Sequence, residues 1–176
     1  MIKKSVWLLM IVLLSLPTIC LAQKVEDVAF FVHSPQELSE WLTQNIKYEL
    51  EMPDYWQPAE ETLKRHKGDC DDFAILSSAI LNELKIPNQV LIIKFRGIRL
   101  SHAVCAFKSG EVCAFISNGQ IISTKEYLIR GAVEEAYPDW EAIVFTNADK
   151  ESLKVVSRHK VEKAFEVELE TALRSR

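Results

Sequence analysis

Ahead of Pro87 the apolar residues recur at helical spacing, and beyond it they alternate at the spacing of strands. Ser34-Pro35-Gln36-Glu37 forms a capping box with proline at the first helical position. It predicts a helix through about Ile46, with Leu38, Trp41, Leu42 and Ile46 as the buried stripe. A loop over 51–57 carries Pro53, Tyr55 and Trp56, and a short helix from Pro58 is expected to stop at Gly68. Asp69 then caps a third helix, with Cys70 in its first turn, Phe73, Ala74, Ile80, Leu81 and Leu84 in the core, and Pro87-Asn88 at its end. Strands are predicted over 89–95, 102–107 and 111–116, and shorter ones over 120–123 and 142–145. Helices followed by a strand meander make an α+β domain. From about Asp149 to the end the chain reads as a charged helix, with Val161, Phe165, Leu169 and Leu173 as a narrow stripe for the domain or a partner.

The first 22 residues stand outside this pattern. Lys3 and Lys4 precede an uncharged apolar run from Val6 to Ile19, and Cys20-Leu21-Ala22 ends it as a signal peptidase site does. The run falls short of the roughly 20 residues that span a bilayer, so cleavage after Ala22 and no membrane span in the mature chain are expected. Residues 23–176 then form one domain, exported to the periplasm or the medium.

The full chain of 176 residues is 48% hydrophobic and 26% charged, with a net charge of -4. Five glycines, six prolines and four cysteines exclude a collagen, a low-complexity chain and a disulfide-dense scaffold. The acidic balance argues against a nucleic-acid partner. Cys20 leaves with the leader, so Cys70, Cys105 and Cys113 remain, an odd number in an oxidising compartment.

Cys70 at a helix start is placed to act as a thiolate, because first-turn N–H groups and the helix dipole favour the anion. His102, at the start of a strand, can accept the thiol proton and return it to a leaving amine. A third group then orients the imidazole. Lys108-Ser109-Gly110 as a three-residue hairpin loop places Cys105 opposite Cys113, where they form a disulfide or pack as small apolar groups. The same register turns Asn118 toward His102. A two-residue Ser109-Gly110 turn brings Ser117 there instead, and the three-residue loop with Asn118 is the preferred expectation. No two histidines lie four apart on a helix, so a zinc enzyme is not indicated.

Trp56-Gln57-Pro58 with Glu60 and Glu61, then Gly68-Asp69-Cys70-Asp71-Asp72-Phe73-Ala74, then His102-Ala103-Val104 resemble the transglutaminase-like superfamily, most closely its exported bacterial cysteine proteinases. The resemblance covers about residues 55–119. It implies a papain-like fold, Cys70 as nucleophile, His102 as base, and Ser117 at the position where the proteinases carry an acid. It also implies the Trp56 indole N–H as a donor to the oxyanion, beside the Cys70 N–H. Carboxylates beside a thiolate oppose its formation. A calcium ion on Asp69 and Asp71 relieves that conflict, and some of the resembled proteinases use calcium near such acids. The expected activity is hydrolysis of a protein or peptide substrate through a thioester. The alternatives are acyl transfer or deamidation on glutamine, and a catalytically silent binding domain.

Overall fold

The computed structural model describes residues 24–53, 55–146 and 154–158. The leader and the stripe from Val161 to Leu173 lie outside the described residues. Four helices, interleaved with two short strands, open the described chain. They are α1 (Val25–Phe31), α2 (Pro35–Asn45), α3 (Ala59–Arg65) and α4 (Cys70–Glu83). Ser34 caps α2 by accepting a hydrogen bond from the Glu37 N–H, as the capping box predicts. The short strands β1 (Lys47–Tyr48) and β2 (Lys67–Gly68) pair in parallel. The helix expected to run to Gly68 therefore ends at Arg65, where His66 takes a left-handed backbone with φ of 54°. Lys67 and Gly68 form a strand instead.

A six-stranded antiparallel sheet follows, built from β3 (Asn88–Phe95), β4 (Ser101–Ser109), β5 (Val112–Ser117), β6 (Gln120–Ser123), β7 (Trp140–Thr146) and β8 (Lys154–Ser157) in the order β6-β5-β4-β3-β7-β8. A fifth helix, α5 (Ile129–Ala136), lies between β6 and β7 in the chain. The sheet separates two cores. On one face Cys105, Phe107, Ala114 and Ile116 meet the four N-terminal helices, with Leu76, Ile80 and Leu81 of α4 at the centre. On the other, Leu91, Ile93, Val104 and Phe115 meet Ile129, Ala132 and Val133 of α5 and the buried Trp140. Burial of such side chains drives the assembly at about 1.5–3 kcal/mol each. Helices packed on an antiparallel sheet make this the α+β class that the sequence predicts.

Two expectations are corrected. The segment Lys154–Ser157 is a strand, where a helix from about Asp149 was expected. Val156 is buried in the second core opposite Ile143, and β-branched residues suit that pleated surface. The hairpin register also differs from both expected forms. Ser109 pairs with Val112, so Gly110 and Glu111 are the two loop residues, and Gly110 takes φ of 65°. Glycine at the first central position is what a two-residue type II′ turn requires. Cys105 then faces Ile116 and Cys113 faces Lys108, with the two cysteines in different cores. Both are free thiols, and no disulfide joins them. Among the described residues no helix is long and apolar enough to cross a membrane.

Candidate active site

Cys70 is the first residue of α4 and is half-buried. The N-terminus of α4 is held by an acid-amide lattice. Asp72, in the first turn, accepts hydrogen bonds at Oδ2 from the Asp69 N–H (3.0 Å) and the Gln57 Nε2 (2.6 Å), and at Oδ1 from the Gln57 N–H (2.7 Å). Gln57 is fully buried and also donates to Glu51. The loop that carries Trp56 is thus pinned to the helix that carries Cys70. Trp56 itself is partly buried against the first core, one residue from the pinned Gln57.

The Cys70 side chain packs against Ala74, Val90 and Ala103. Ala103 follows His102 in β4. Burial pushes the Cys70 thiol above its ordinary pKa, as do the charges of Asp71 and Asp69, and hydrogen bonding from the Ala103 backbone only partly offsets them. Tyr48 on β1 belongs to the same surroundings. Its ring stacks on Phe73 at 6.5 Å, and its pKa is raised by burial and then by Cys70, Asp69 and Asp71.

His102 is also half-buried, and burial lowers its pKa. Its Nε2 lies 2.8 Å from Ser117 Oγ. Pairing of β5 with β4 stops at Cys105 opposite Ile116, which leaves Ser117 diagonal to His102 at the frayed end of the ladder. Asn118, the preferred orienting residue in the sequence, is exposed in the next turn with φ of 48° and does not bond His102. Ser117 occupies that place because the hairpin register is shifted. Among the described residues no hydrogen bond joins the Cys70 sulfur to the His102 ring. Hydrogen bonds between a nucleophile and its base are often long in the free state.

Asp69, Cys70 and Asp71 each offer a ligand atom within 4.8 Å of the others. Asp69 Oδ1 and Asp71 Oδ2 are buried without hydrogen-bond partners. The Asp71 carboxyl is pushed up to about 8, first by burial and then by Asp69. Two buried carboxylate oxygens with nothing to neutralise them fit a hard cation.

The family described as a transglutaminase-like domain matches residues 22–137. The chain belongs to that family. None of the curated proteins matches it. Among solved structures, this transglutaminase-like domain is similar to Legionella pneumophila LapG in its EGTA-treated form, at 17% identity and a TM-score of 0.53, over 80% of this chain and 76% of LapG. The calcium-bound form of LapG aligns at 16% identity and a TM-score of 0.49, over 86% of this chain and 96% of LapG. A protein from Cytophaga hutchinsonii, described as a candidate cysteine protease, aligns at 15% identity and 0.47, over 82% of this chain and 54% of that one. These identities speak to fold.

Sequence reasoning named Cys70 and His102 as candidates and offered Ser117 second to Asn118. It missed Gln57 as the residue that fixes the Trp56 loop, and it missed Tyr48 and Tyr137 beside the site. Gln57 carried a signal, since it stands in the Trp56-Gln57-Pro58 motif. The two tyrosines carried none.

Proposed function

We propose that this transglutaminase-like domain is an exported cysteine peptidase that cleaves a protein or peptide substrate through a thioester. One observation carries the proposal: the Cys70 side chain at the start of α4 packs against Ala103, the residue that follows His102, and Ser117 holds the His102 ring at Nε2.

Cys70 Sγ attacks the carbonyl carbon of the scissile bond as His102 takes the thiol proton. The oxyanion is held by the Cys70 N–H, one of the first-turn donors that no helical carbonyl uses, and by the Trp56 indole N–H. Collapse breaks the C–N bond, and His102 returns its proton to the leaving amine. Water, deprotonated by His102, then hydrolyses the thioester and frees Cys70. Asp69 and Asp71 would hold a calcium ion through the unpartnered oxygens, and its charge would offset the repulsion that now raises the Cys70 pKa.

Glutamine-directed acyl transfer uses the same thioester, so the test separates acceptors. With calcium present, iodoacetamide at neutral pH is expected to alkylate Cys70, and Cys70→Ala to abolish that adduct. Unfolded β-casein incubated with methylamine is expected to give backbone cleavage without bound amine. Amine incorporated at glutamine would establish transfer instead, and a Cys70 that stays unreactive would leave a silent binding domain.

A further inference from the structure

We propose that Tyr137 is a positioning residue of the site, and that its hydroxyl and that of Ser117 form a neutral pair in the place where a catalytic carboxylate would stand. Its catalytic meaning rests on the cysteine-peptidase reading; its geometry does not.

Tyr137 is the residue that closes α5, its N–H donating to Val133 O at 2.8 Å. From there its ring lies over the His102 imidazole, with centroids 6.0 Å apart, and touches Phe115 at 5.9 Å and Phe95 at 6.3 Å. The ring is thus fixed by three neighbours on the face of the sheet to which His102 and Ser117 point. Its hydroxyl is buried and has no hydrogen-bond partner among the described residues. Burial raises its pKa, and Ser117, which lies 2.8 Å from the same His102 ring that Tyr137 faces, partly offsets that rise. A buried phenol hydroxyl left without a partner is costly, and a rotation of the Ser117 hydroxyl toward it removes that cost.

The proton order follows from the donors available. His102 Nε2–H donates to Ser117 Oγ, Ser117 donates its own hydrogen to Tyr137 Oη, and His102 Nδ1 keeps a bare lone pair for the thiol proton. No member of the chain is charged. It fixes the tautomer and the ring plane but offers the imidazolium no counter-ion, unlike a carboxylate. Two hydroxyls therefore orient the base without strengthening it.

The test is nitrogen-15 long-range correlation spectroscopy of the His102 ring in the full chain at neutral pH, together with the rate of Cys70 alkylation by iodoacetamide. The natural chain should hold the Nε2–H tautomer. Tyr137→Phe keeps the ring and removes only the hydroxyl; it should give a mixture of tautomers and alkylation slowed roughly ten-fold, the scale of one hydrogen bond. Ser117→Ala should do the same, and the double variant should be no slower than either single one, because the two act as one unit. A Tyr137→Phe chain with unchanged tautomer and rate overturns the proposal, as do losses that multiply in the double variant. If Cys70 in the natural chain resists iodoacetamide, the peptidase reading fails, while the tautomer of Tyr137→Phe still decides the role of the hydroxyl pair.

Discussion

Ser117 gives His102 an oriented neighbour without a negative charge, and burial alone then sets the imidazole below its ordinary pKa. A carboxylate in that place should reverse the direction, since an opposite charge within hydrogen-bond reach favours the protonated ring. Ser117→Asp is expected to raise the His102 pKa by about one unit or more and to speed iodoacetamide alkylation of Cys70 below pH 7 about ten-fold. Ring proton shifts followed through a pH titration check the first part. An unchanged alkylation rate in a chain whose His102 pKa has risen would show that this histidine does not govern the thiol. The candidate nucleophile and base were legible in the sequence, because Cys70 follows a capping aspartate and His102 opens an apolar strand. The orienting residue was not. Its identity depends on whether the hairpin loop has two or three residues and where Gly110 falls in it, and a one-residue slip turns every side chain of β5 to the other face.

At the level of the elements, the site depends on a close approach between β2 and α4. A Cβ at Gly68 would lie 2.5 Å from Cβ and Oδ2 of Asp72, the side chain that receives both Gln57 nitrogens and the Asp69 N–H. Gly68→Ala must push that carboxylate aside. It is expected to lower stability by about 1–3 kcal/mol, since it breaks buried hydrogen bonds, and to release the Trp56 loop. Chemical denaturation measures the first effect, and increased Trp56 accessibility to acrylamide, read against Trp56→Phe, measures the second. Denaturation midpoints equal to those of the natural chain would mean that the lattice contributes nothing. The glycine was legible as a helix stop, which it nearly is, but its partner strand 20 residues earlier was not, because a two-residue ladder leaves no periodic trace. Helix α5 escaped for another reason. Its buried positions Ile129, Ala132 and Val133 have helical spacing, yet the segment is eight residues long and carries Gly131, which costs a helix about 1 kcal/mol relative to alanine.

For the whole molecule, the buried acids set how stability follows pH. The Asp71 carboxyl keeps its proton up to about 8 in the folded chain, whereas the unfolded chain loses it near the ordinary value of 3.8. Across that window the unfolded state binds fewer protons, so stability falls as pH rises and levels off above about 8. His102 acts in the opposite sense. Its folded pKa is lowered from 6.5, so its contribution is lost as pH falls through that value. In EGTA the melting temperature is therefore expected to decline between pH 7 and 8, where His102 is already neutral, and calcium should flatten the decline by holding both carboxylates ionised. Asp71→Asn should remove the pH slope and the calcium effect together. A slope that survives in Asp71→Asn would assign it to another group.

The two halves of the candidate chemistry draw their support from different cores. Cys70 is anchored through α4 to the N-terminal helices, and His102 is oriented from the far side by Ser117 and by the Tyr137 that ends α5. The proposed reaction thus requires both cores to be complete at once, like a lock that opens only with two keys. A chain still folding, or one with either face loosened, carries the nucleophile or the oriented base but not the pair. Unfinished copies of such a peptidase would themselves be inactive, and activity would report the integrity of the entire fold.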